Sequence, residues 1–168
     1  YSFKTIRERL GANAIAMQIP IGAGDDLAGI IDLLEMKAFY FDANELGAKV
    51  DEREIPAELM DDAELWRSDL LEKAAELDDE LMETYLDTPD KVTIEQIKAA
   101  IRKGTIALEC NPVFCGSALK NIGVQRLLNG VIEYLPDPTE VPAIEGTDPR
   151  DPDVKLIRTH SESDPFSA

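Results

Sequence analysis

Residues Pro112 to Pro138 read PVFCGSALKNIGVQRLLNGVIEYLPDP. Val113, Phe114 and Cys115 form a short apolar run of the kind that makes a buried strand. Gly116, Ser117 and Ala118 follow as a turn of small residues. An amphipathic helix is expected from about Gly123 to Leu135, because Val124, Leu127, Leu128, Val131, Ile132 and Leu135 recur at helical spacing. Pro136 and Pro138 stop it. A strand that ends in small residues offers backbone N–H groups at its C-terminal edge, where open α/β sheets bind their ligands.

Upstream of this unit the pattern changes. Tyr1 to Leu10 looks like the tail of a helix, closed by Gly11-Ala12-Asn13 as a glycine C-cap. From Ala14 to Ile21 the chain alternates, with Ile15, Met17, Ile19 and Ile21 on one face. Gly29 to Leu33 and Lys37 to Phe41 read as two more strands, so a small antiparallel sheet is expected. Gly22-Ala23-Gly24-Asp25 is an acidic turn between strands. Asp26-Leu27-Ala28-Gly29 spells D-x-x-G, but it lies in that hairpin connection and no phosphate loop precedes it. Gly22-Ala23-Gly24 is no dinucleotide fingerprint either, since no helix follows and Asp25-Asp26 would repel phosphate. Asp42 to Arg53 is polar, a loop or a strand edge.

The longest helical signal runs from Pro56 to Leu86. Leu59, Ala63, Trp66, Leu70, Ala74, Leu77 and Leu81 form its apolar stripe. At about 100° per residue, Glu58, Asp62, Asp69, Glu72, Glu76, Glu80 and Glu83 all fall within about 40° of one line, roughly 120° from the apolar stripe. Leu65 is the apolar residue on that acidic line. A break near Asp78-Asp79 would take the later acids off the line and leave Glu58 to Glu76 on it. Aligned carboxylates repel one another and destabilise a helix. The stripe is therefore either a solvated face or a docking surface for a Lys/Arg-rich partner. Thr93 to Ala107 forms another helix, with Thr93 as N-cap and Gln96 completing a capping box. Arg102 and Lys103 suit its C-terminal end. Beyond Leu135, prolines alternate with acids, as in a linker.

Composition sets limits. The 168 residues carry 34 acidic and 17 basic side chains, a net charge of −17. Such a balance argues against binding nucleic acid or an anionic membrane, which rests on Lys and Arg, and favours a basic partner surface. No apolar run approaches the 18 or so residues that span a bilayer. Cys110 and Cys115 fall on opposite faces of one extended segment and read as reduced core thiols. His160 sits in a polar connector and reads as solvated. No acid pair, Ser/His/Asp set or Cys/His pair recommends a catalytic residue or a metal site.

Gly116-Ser117-Ala118-Leu119-Lys120-Asn121 resembles the last of the five guanine-nucleotide motifs of the GTPase superfamily. The longer string NPVFCGSALKNIGVQRLLNGVIEYLPDPTEVPAI resembles the elongation factor G family of translational GTPases. The likeness extends to RERLGANAIAMQIPIG, GIIDLLEMKAFYF, EIPAEL, LMETYL, AIRKGTIAL and DPFSA, in order and across essentially the whole chain. The resemblance implies an α+β insertion subdomain (residues 13–108), a small antiparallel sheet with helices. It is joined to the last strand, guanine-contact turn and helix (109–136) of a P-loop GTPase α/β core. Residues 1–12 would end a helix of that core, and 137–168 would lead toward the next domain. The strand at Val113 would then lack its parallel neighbours.

The same resemblance implies a cytoplasmic parent that binds GTP or GDP with Mg and couples hydrolysis to movement of tRNA and mRNA. Gly116, Ser117, Ala118 and Leu119 would hold guanine through the backbone, with Lys120 beside the ring. Glu58, Asp62, Asp69, Glu72 and Glu76 would meet the basic C-terminal domain of the ribosomal stalk protein. The phosphate loop G-x-x-x-x-G-K-[ST] and Asn-Lys-x-Asp do not occur in these 168 residues, so the chain alone is expected to be inactive and to hold no cofactor. A paralogous ribosome-recycling or ribosome-protection GTPase, or a stand-alone acidic interaction module, are the alternatives.

Overall fold

The alternating run from Ala14 to Ile21 makes two strands that belong to two different sheets. The computed structural model describes residues 2–42, 49–141, 143–148 and 150–158. Its first part runs α1 (Ser2–Leu10), β1 (Ala14–Ala16), β2 (Gln18–Ile21), β3 (Gly29–Asp32), β4 (Lys37–Phe41) and β5 (Val50–Arg53). Then follow α2 (Ala57–Ala75), α3 (Asp79–Asp87), α4 (Ile94–Ile106), β6 (Asn111–Val113) and α5 (Val124–Tyr134). A bend at Met17 separates β1 from β2. Residues up to Leu135 form one compact unit, and those from Pro136 onward a second.

β2, β3, β4 and β5 make an antiparallel sheet in that order, with Ile19 opposite Ile31 and Ile31 opposite Ala38. The connection from β2 to β3 is a single 3₁₀ turn at Gly24–Asp26, as the acidic turn predicts. Gly22 enters it at φ +83°, and a Cβ there would lie 2.1 Å from the Asp26 carbonyl oxygen, so the tight reversal depends on glycine. The polar stretch 42–53 ends in an exposed edge strand, β5. Its residues 43–48 lie outside the described residues, as does His160.

The long helical signal resolves into two helices. Asp78 breaks it, because its carboxylate accepts from the N–H groups of Glu80 and Leu81 at 3.1 and 3.2 Å and starts α3 as an N-cap. Glu80 and Glu83 therefore leave the acidic line. The apolar stripe of α2 goes inward, with Ala63, Leu70 and Ala74 fully buried. Thr93 caps α4 with the reciprocal Gln96 contact in place. Ile97 and Ile101 join Ile15, Ile31, Leu70 and Tyr134 in the main core. Gly104 allows α4 to approach closely, since a Cβ there would meet Leu77 Cδ1 at 2.8 Å.

Two expectations need correction. The strand before the turn is Asn111–Val113, two residues earlier than Val113–Cys115, and it has a parallel neighbour. β6 pairs with β1, Ala14 opposite Asn111 and Ala16 opposite Val113. Asn111 fits because its N–H donates to the Asn13 carbonyl at 2.8 Å, while Asn13 Nδ2 donates to the Glu109 carbonyl at 3.0 Å. The second unit, expected as linker, holds a hairpin of β7 (Ile144–Asp148) and β8 (Asp151–Arg158) with an irregularity at Thr147/Asp148.

The last helix of the first unit also behaves unexpectedly. α5 seats itself through Gly130 and Tyr134, and its apolar stripe stays exposed. A Cβ at Gly130 would stand 2.4 Å from Phe114 Cζ, so the ring fills the place a side chain would take.

Candidate functional site

The turn after β6 is a closed loop. Gly116 begins it, and a Cβ there would lie 2.4 Å from the Ile122 carbonyl oxygen. Ser117 and Ile122 exchange two backbone hydrogen bonds, each 2.9 Å. Inside that pair, Asn121 N–H donates to the Ala118 carbonyl at 3.2 Å and Lys120 N–H to Ser117 Oγ at 3.3 Å. Asn121 and Gly123 sit at φ +54° and +78°, left-handed backbone suited to a short polar residue and to glycine. Ser117 N–H is thus engaged within the turn. The N–H groups of Ala118 and Leu119 have no protein acceptor among the described residues. The Leu119 side chain beside them is 94% exposed.

Beneath the turn lies the antiparallel sheet. Ile122 is buried in a small cluster with Ile30 and Phe39, bordered by Leu27, Phe41 and Cys115. Burial is the main reason that the Cys115 thiol is pushed up to about 11. Lys120 reaches down and donates to the carbonyl oxygens of Asp25 and Gly24 at 2.5 and 3.3 Å. Arg126 lies 3.8 Å from the centre of the Phe39 ring and pairs with Glu35 at 2.6 Å, with Asp32 at 3.8 Å. Sequence reasoning missed Arg126, Glu35 and Phe39 as a group, because 91 residues separate Arg126 from Glu35. The one available signal was a cation in the first turn of a helix, where the dipole disfavours it.

On α2, Glu58, Asp62, Glu72 and Glu76 are exposed, and Leu65 among them is 69% exposed. Asp69 has a different task. It is half-buried and accepts from Lys73 at 2.5 Å. Lys73 is itself buried, donates to the Ala14 carbonyl at 3.3 Å and lies over the Phe3 ring at 5.8 Å. Asp69 therefore neutralises a buried cation, which would be costly to leave unpaired. Further along, a hydrogen bond from Lys103, 2.8 Å away, is the main cause holding the Asp78 carboxyl below its ordinary value. Among the described residues, no group of His, Cys, Asp and Glu is placed to hold a metal ion. Nor is any helix there long and apolar enough to cross a membrane.

No family model matches the chain. Its structure is similar to a crystal structure of a protein from Thermus thermophilus, with a TM-score of 0.70 and 30% identity, covering 82% of this chain and 20% of that one. In sequence it is 50% identical over 163 residues to elongation factor G from Salinibacter ruber (strain DSM 13855 / M31). The stretch is homologous to elongation factor G. The match takes in 97% of this chain and 23% of the relative, so the chain spans about a quarter of that elongation factor G. Its α+β build, an antiparallel sheet with helices, agrees with an elongation factor G domain.

Proposed function

We propose that this chain is the part of a translational GTPase that supplies the last guanine contact and an acidic docking face for the ribosome. One observation carries the reading: a closed Ser117–Ile122 turn with two N–H donors that have no acceptor among the described residues, in a chain half identical to elongation factor G. Gly116 permits the turn and Ser117 closes it. Ala118 and Leu119 donate to the guanine carbonyl oxygen, and Lys120 stands beside the ring. Phosphate and Mg would be held by residues that these 168 do not include. The parent, a cytoplasmic protein, uses GTP hydrolysis to drive tRNA and mRNA through the ribosome.

Two features support a larger α/β core around this piece. β1 and β6 are a parallel pair, the pairing that GTPase cores use, and two strands alone make a poor sheet. The exposed apolar stripe of α5 supports cover by other parts of the parent, and it speaks against a stand-alone acidic module.

The docking partner is the basic C-terminal domain of the ribosomal stalk protein. Glu58, Asp62, Glu72 and Glu76 face it with Leu65 in their midst, and Asp69 contributes by holding Lys73. Titrating the chain with that isolated domain, followed by NMR at low and moderate salt, tests this. Salt-sensitive shifts between Glu58 and Glu76 are expected, and reversing the charges of Asp62 and Glu72 abolishes them. Absence of shifts at millimolar partner, with the fold intact, refutes the docking face.

A further inference from the structure

We infer that the antiparallel sheet positions the guanine-contact turn, with Arg126 as the positioning residue. The turn's own hydrogen bonds close it but do not orient it. Orientation comes from three contacts with the sheet and its first connection. Ile122 plugs into the cluster of Ile30 and Phe39. Lys120 ties the outer limb to the Gly24 and Asp25 carbonyls. Arg126 fastens the first turn of α5, just past Gly123, by stacking on Phe39 and pairing with Glu35. The buried contacts of α5 itself, at Gly130 and Tyr134, lie in its second half. Arg126 adds to these contacts a charged side chain that joins the end next to the turn to both Phe39 and Glu35.

The choice of residue supports this assignment. A cation near a helix N-terminus opposes the helix dipole, so helix stability does not call for Arg126. A planar guanidinium can stack on a ring and pair with a carboxylate at once, which an ammonium does poorly. Lysine at this position would keep the charge and lose the stack.

The consequence for nucleotide rests on the guanine reading of the turn, so the test has two parts. Amide hydrogen exchange is measured on this chain and on Arg126→Gln, Arg126→Lys and Glu35→Gln. Ser117 and Ile122 N–H should exchange about tenfold faster in Arg126→Gln, and about threefold faster in Glu35→Gln. Arg126→Lys should fall between the Gln variant and the native chain, while the amides of β3, β4 and α2 keep their rates. Unchanged exchange at Ser117 and Ile122 would overturn the proposal. So would a uniform rise that includes β3 and β4, which would make Arg126 a stability residue only. The second part compares GDP with ADP affinity in a full-length elongation factor carrying this segment. A smaller preference for GDP in Arg126→Gln is expected. Faster turn exchange with an unaltered preference would keep the positioning role and sink the guanine reading of the turn.

Discussion

In α2 the apolar stripe and the buried face coincide, whereas in α5 they do not. Ala63, Leu70 and Ala74 of α2 are at 0% exposure, and Glu58, Asp62 and Glu72 on its far side face water. On α5, Gly130 and Tyr134 go inward while Leu128 and Ile132 stand 58% and 78% exposed. Both helices have the spacing of an amphipathic helix. α2 finds α4 and β1 within the chain to cover it, and α5 meets α4 with a face that is not its most apolar one. Periodicity says which side of a helix needs cover. It does not say whether the cover is present in the same chain.

Mutation breaks or sharpens this contrast, most strongly at Leu70. Leu70→Ala empties a fully buried site and should lower the free energy of unfolding by about 2–5 kcal/mol. Ile132→Ala on the open face of α5 should change it by less than about 0.5 kcal/mol. Urea denaturation of the two variants checks both, and comparable losses would erase the distinction.

The cluster beneath the turn holds a half-buried titratable group, Cys115. Folding raises the Cys115 thiol from 9.0 to about 11, so the folded chain holds that proton more tightly than the unfolded one. Its contribution is complete below pH 9 and is lost as pH rises toward 11, by an amount on the order of 2 kcal/mol. Urea midpoints at pH 8, 9 and 10 should fall less steeply in Cys115→Ala than in the native chain.

Gly130→Ala forces a methyl against Phe114. Overpacking of about 1–3 kcal/mol outweighs the gain in helix propensity and leaves a net loss of about 1 kcal/mol. A thermal melt would register it, and a rise in melting temperature would mean that α5 is not seated on that ring. A further substitution treats both sides alike. Thr93→Ala removes the cap of α4, against which α2 and α5 both pack, and should cost about 1 kcal/mol or slightly less, read by urea denaturation.

Local chemistry was legible in the sequence. The Thr93–Gln96 box, the acidic turn at Gly24–Asp26 and the break at Asp78 depend on residues within a few positions of one another. What local sequence does not explain depends on distant partners. β6 begins at Asn111 because Asn13 and Ala14 sit across from it, and no property of Asn111 itself announces a strand. The glycines and small residues of the turn were visible as a motif. The identity of its free donors was not, because it depends on Ser117 N–H finding the Ile122 carbonyl. Asp69 carried the same acidic signature as Glu72, and only the position of Lys73 gives it an interior task.

The bare leucines of α5 also govern how the isolated chain behaves in solution. A net charge of −17 keeps copies apart at low ionic strength, despite a stripe that would otherwise stick. The screening distance shrinks from about 30 Å at 0.01 M to about 8 Å at 0.15 M salt. Added salt would therefore weaken the proposed docking to a cationic partner and, by the same screening, let the greasy helices of neighbouring copies meet. Purification buffers would tune these two tendencies in opposite directions.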